Sequence, residues 1–208
     1  MLPTKEEALA LVRDGLHDNP GPWGRHSLTA AHCGEKIAQR CGLDPEKAYI
    51  LGLLHDIGRK FGTRHLGHVV DGYRYMTALG YDEAAKICLT HSFVTHSLEG
   101  YIGKVDVSPE ELALLQTKLA EARYDDYDLL IQLCDCLAGA EGVVNMEARM
   151  ADVKRRYGSY PQDKWDANMA LRRYFEEKMG ADVYAVCEQG RFAPEEGGIL
   201  CDNSQILG

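Results

Sequence analysis

A chain of 208 residues, 45% hydrophobic and 26% charged, is long enough to bury a sizeable core and ordinary enough to form one soluble domain. A formal net charge of -9 argues against a partner gripped through a phosphate backbone, so no nucleic acid is expected. No apolar run approaches the roughly 18–20 residues that cross a bilayer, and the start, Met1-Leu-Pro-Thr-Lys-Glu-Glu7, lacks the basic and apolar parts of a secretion signal. The expectation is a cytoplasmic protein without a membrane partner. Its seven cysteines are odd in number and include no Cys-x-x-Cys pair, which fits reduced thiols rather than a disulfide framework or a cysteine-built zinc site.

Almost every segment reads as helix. Thr4 is a candidate N-cap for residues 4–16, where Leu9, Leu11, Val12 and Leu16 form a stripe. Asn19-Pro-Gly-Pro-Trp-Gly24 must be a loop, and Arg25-His26-Ser27 leads into a helix ending at Cys41, before Gly42. Asp44-Pro45-Glu46 opens the helix that carries His55 and Asp56. Gly58 and Gly62 bracket a break. Helices follow from about His65 to Leu79 and from Asp82 to His91, and residues 97–107 read as a loop. Ser108 with Glu111 is a capping-box signature for a helix ending near Ala122. An acidic turn, Tyr124 to Asp128, enters an apolar helix closed by Gly139. Two charged amphipathic helices, about 145–157 and 161–179, and a short one, 181–188, precede a tail without periodicity. No alternation is long enough for a strand. The organisation expected is all-α, a single-domain helical bundle. Residues 1–19 form a packing helix, 20–140 a core, 141–190 helices completing the same domain, and 191–208 an irregular tail.

One polar pair and one lone carboxylate stand out because their surroundings are apolar. His55 and Asp56 sit among Ile50, Leu51, Leu53, Leu54 and Ile57, and Asp135 lies within Leu129-Leu-Ile-Gln-Leu-Cys-Asp135-Cys-Leu137. A buried carboxylate needs a partner. Arg59 or Lys60 would supply one as an ion pair; a borderline divalent cation, suited to imidazole and carboxylate together, would supply another. His26, His55, Asp56 and Asp135 make a plausible ligand set for one metal, and His68 with His91 extends it to a second, with a carboxylate bridging the two.

The order His26, His55-Asp56, Asp135 resembles the H…HD…D pattern of the HD superfamily of metal-dependent phosphohydrolases. His68 and His91 match the extra histidines of its two-metal branch, and His68-Val-Val-Asp-Gly72 is similar to the bacterial symmetric diadenosine tetraphosphatases. The resemblance covers about residues 20–140. It implies an enzyme that hydrolyses a phosphoester or phosphoanhydride of a nucleotide or another small phosphorylated substrate with metal-activated water. It implies divalent ions, two in number, drawn from Fe, Mn, Co, Ni or Mg, with Asp56 bridging them. Many members have lysine directly after His-Asp-x-Gly, where this chain has Arg59 and then Lys60. Arg59 and Lys60 are the expected catalytic clamp on phosphate oxygen, and Arg64 and His96 are further candidates for substrate contact. His65 fits a supporting role. Two rival readings stay open: the superfamily's mixed-valent diiron oxygenases share this ligand set, and a metal- and nucleotide-binding regulatory module would need no turnover. The exposed helical faces of 145–179 leave a homodimer open.

Overall fold

A computed structural model describes residues 1–187, and the tail expected over 191–208 lies outside them. Among the described residues there are ten α-helices: α1 (Lys5–Asp18), α2 (Trp23–Cys41), α3 (Pro45–Leu54), α4 (Gly67–Ala78), α5 (Asp82–Thr90), α6 (Pro109–Glu121), α7 (Asp126–Leu137), α8 (Met146–Tyr157), α9 (Gln162–Met179) and α10 (Val183–Cys187). The all-α bundle expected from the sequence is the architecture found. None of these helices is long and apolar enough to cross a membrane.

The caps follow from local chemistry. Thr4 and Ser108 each accept from the backbone three residues on, while Glu7 and Glu111 reach back to the cap residue's own N–H. Asp44 accepts from Glu46 N and Lys47 N ahead of α3, with Pro45 in the first helical position. Asp125 and Asp128 do the same for α7.

α2 is the central helix. It packs on α3, α7, α9 and α10, and its crossing with α3 is close because glycine sits on both sides. A Cβ on Gly52 would lie 2.8 Å from Ala31 Cα, and one on Gly34 would lie 3.1 Å from the Ala48 carbonyl. One apolar cluster joins α1–α5 through Val12, Tyr49, Leu53, Ile57 and Met76. A second joins α2 and α7 to α8–α10 through Ile37, Leu133, Met150 and Phe175, and a third lies between α4, α5 and α6.

Local details differ from expectation: Trp23 and Gly24, expected in a loop, already belong to α2. α3 stops at Leu54, so His55 caps it and Asp56 leads into a 3-10 turn, Ile57–Phe61, where a plain break was expected. The tight turn exists because Gly58 lies against the backbone of α4. A Cβ there would overlap the His68 carbonyl oxygen and come within 2.5 Å of Gly72 N. A minimal antiparallel ladder, Ala138–Gly139 with Gly142–Val143, also follows α7, in a stretch where no strand was expected. It is too short to show period-2 patterning.

Candidate metal centre

Five helix ends converge to place six side chains. His26 lies in the first turn of α2, His55 and His91 cap the C-termini of α3 and α5, and His68 opens α4. Asp56 follows His55, and Asp135 sits in the last turn of α7. They form two groups whose ligand atoms lie within 4.8 Å of one another: His26, His55 and Asp135, and Asp56, His68 and His91. These are the six residues singled out in the sequence.

Each imidazole is fixed from behind. Nδ1 of His26 meets the Ala138 carbonyl at 3.0 Å, Nδ1 of His55 the Gly52 carbonyl at 2.6 Å, and Nδ1 of His91 the Cys88 carbonyl at 2.9 Å; Nδ1 of His68 meets the carbonyl of His65. A carbonyl only accepts, so Nδ1 carries the proton in all four rings and Nε2 presents a lone pair. Those lone pairs face each other: Nε2 of His26 and His55 are 3.2 Å apart, and so are Nε2 of His68 and His91. Two lone pairs at that distance repel unless a cation lies between them. Two ligand nitrogens on one ion, at tetrahedral or octahedral angles, lie roughly 3.0–3.4 Å apart, so the donor set fits a metal.

Asp56 joins the groups. Its Oδ1 is 3.1 Å from His68 Nε2 and 3.7 Å from His91 Nε2, while Oδ2 is 4.0 Å from Nε2 of both His26 and His55. Asp135 Oδ1 is 3.1 Å from His26 Nε2 and 3.9 Å from His55 Nε2. Burial pushes the Asp56 carboxyl toward neutrality, but the Arg59 guanidinium, 2.5 Å from Oδ2, outweighs it and holds the group ionised well below the usual carboxylate range. Burial acts likewise on Asp135 and is outweighed by nearby positive charge, Arg149 among it. Burial also lowers the basicity of His55, and that of His91 to about 3, which keeps both neutral and able to ligate at ordinary pH.

The centre opens into a cavity of about 570 Å³, a size that suits a small molecule. Arg59 lines it beside Asp56. The other three residues expected to meet substrate are held elsewhere. Lys60 pairs with Asp18 at 3.0 Å and lies over the Tyr75 ring. Arg64 is engaged by Asp71, Glu111 and the Asp106 carbonyl, which ties α4 to α6. His96 stacks on Tyr124 at 3.6 Å with a positive φ of 56°. None of the three lines the cavity. Each has a partner distant in sequence or a loop geometry that spacing does not reveal. Reading the sequence also missed Arg149 and Arg156 of α8, which do line it, with Arg149 3.4 Å from Asp135. The signal for Arg149 is its position, since a cation in the first turns of a helix opposes the dipole and wants an outside partner.

A helical bundle that brings two His/Asp triads together around a cavity defines a metal-binding class of protein. The chain belongs to the HD domain family, whose model matches residues 23–140. Over 131 residues it is 32% identical to Ribonuclease Y of Lawsonia intracellularis (strain PHE/MN1-00), an alignment that takes in 63% of this chain and 21% of that protein. The chain therefore spans about a fifth of the relative it matches. No solved structure matches.

Proposed function

We propose that this protein is a metal-dependent phosphohydrolase acting on a small phosphorylated substrate, with a nucleotide as the leading candidate. The observation that carries the reading is Asp56, whose two oxygens face two separate histidine pairs, an arrangement suited to a carboxylate shared by two divalent ions. Such ions, when bound, supply Lewis acidity that lowers the pKa of water and offsets charge on phosphoryl oxygens.

The chain's own residues do the rest. The four Nδ1 anchors hold the imidazoles in the ligating tautomer. Arg59 spends Nε on Asp56, leaving its Nη donors to bind a phosphoryl oxygen in the fork geometry that suits guanidinium. This replaces the lysine that the resemblance leads one to expect, and it supplies charge and direction but no general base. Water oxygen bonds to phosphorus, the phosphorus–oxygen bond to the leaving group breaks, and the water proton passes to solvent or the leaving oxygen. No protein nucleophile takes part.

Metal content of purified protein, measured beside phosphate release from nucleotides with added Mn, Fe, Co, Ni or Mg, tests this. About two ions per chain with phosphate release is the expected result. Two irons with oxygen consumption and no phosphate release would move the assignment to the oxygenases that share this ligand set. Cleavage of short RNA alone would bring the chain to the activity named for its ribonuclease relative, against the small-substrate reading.

A further inference from the structure

α8 lies beyond the residues matched by the family model, yet it contributes two side chains to the cavity, Arg149 and Arg156. Apart from Asp56, Asp135 and the histidines, every charged residue lining that cavity is an arginine: Arg59, Arg149 and Arg156. In a chain of net charge -9 this is a strong local segregation of sign. The two α8 arginines are seven positions apart, so they share a face of the helix and stand roughly 10 Å apart along it.

Their roles differ. Arg149 lies in the first turns of α8, where a cation is disfavoured by the dipole, and it is turned onto the Asp135 carboxylate and the Ala138 carbonyl. It stands at the metal-ligand end. Arg156 stands at the far end, with its side chain about half exposed. Among the described residues its carboxylate partner is Asp152, which is shared with Arg155, so positive charge is left over at the cavity mouth.

We propose that Arg149 and Arg156 form an anion subsite for a second phosphate group, so that the substrate is a small molecule carrying phosphates in series. This rests on the phosphohydrolase reading. One phosphate meets the His/Asp centre and Arg59, and the chain of phosphates runs along α8 toward Arg156.

The test compares Arg156→Ala with Lys154→Ala, an exposed cation of the same helix that does not line the cavity. For adenosine mono-, di- and triphosphate, the preference in kcat/KM for the triphosphate over the monophosphate should fall about tenfold in Arg156→Ala, through KM, and should not change in Lys154→Ala. Calorimetric titration of tripolyphosphate into metal-free protein reads the subsite without turnover, and binding should weaken about tenfold in Arg156→Ala only. An unchanged preference together with equal tripolyphosphate binding in all three proteins overturns the subsite, as does absence of binding by the unaltered protein. If no nucleotide is hydrolysed with any metal while tripolyphosphate binding still depends on Arg156, the hydrolytic reading falls and the subsite stands.

Discussion

Asp56, His68 and His91 are all buried, with side chains no more than 6% exposed, whereas in the His26, His55 and Asp135 group only His55 is fully enclosed and Asp135 is 24% exposed. The inner triad is held by packing: α4 lies on Gly58, and α5 reaches back through the Cys88 thiol to the Leu54 carbonyl. The outer triad is held by hydrogen bonds at the ends of α2 and α7, where His26 and Arg149 share the Ala138 carbonyl. All three inner ligands line the cavity together with His26 and Asp135, so the inner group belongs to the core as well as to the cavity floor, and the outer group lies nearer solvent. Disturbing the inner half should register in stability as well as chemistry, and disturbing the outer half mainly in chemistry.

Asp56 belongs to both halves, so its loss should have the largest effect. Asp56→Ala is expected to reduce metal to less than one ion per chain and turnover on the order of a thousandfold, measured by elemental analysis and phosphate release. Full activity in that variant would show that the two halves do not depend on a shared carboxylate. Gly58→Ala comes next. The added methyl must push α4 and His68 away, which should abolish the inner group while sparing the outer one. Metal content should drop from about two ions to about one, and overpacking of about 1–3 kcal/mol should lower Tm by roughly 2–10 °C. Loss of both ions together would show that the halves are not separable.

The pH response is smaller and comes mainly from the inner half. Burial lowers the folded pKa of His91 to about 3, below the unfolded value near 6.5, so the unfolded chain binds more protons between these limits. The stabilising contribution is complete above about pH 6.5 and is lost as pH falls toward 3, at up to about 1.4 kcal/mol per pH unit. His55 is lowered in the same direction. Urea unfolding of metal-free protein at pH 7, 6 and 5 should show stability falling at each step, and a flat profile would mean that His91 is not enclosed. The smallest effect is expected of Lys60→Ala. With its ammonium on Asp18, activity should change less than about fivefold, and a larger loss in kcat would return Lys60 to the catalytic group.

How far the sequence could be read follows the same division. His55, Asp56 and Asp135 stood out because a polar group in an apolar run must find a partner, and helix starts and stops such as Asp44-Pro45 and Ser108 with Glu111 are written in adjacent residues. The arginines of α8 did not stand out, since Arg149 and Arg156 lie in a charged amphipathic stripe that reads as a solvated face. Lys60 and Arg64 looked ready for phosphate because Asp18 lies 42 positions from Lys60, and Glu111, which joins the nearby Asp71 in holding Arg64, lies 47 positions away. Gly58 could be recognised as a break but not as the seat of α4, because close approach between helices leaves no local mark.

His55, His68 and His91 are each tied to the carbonyl three residues earlier. The direction of each ring is thus a property of a single helical turn. These three rings lose their rotational freedom when the turns form, so an arriving ion meets donors already aimed. Capture of an ion there would demand little reordering of the chain at those positions, and its affinity would turn on the ion's fit and dehydration more than on the flexibility of its host.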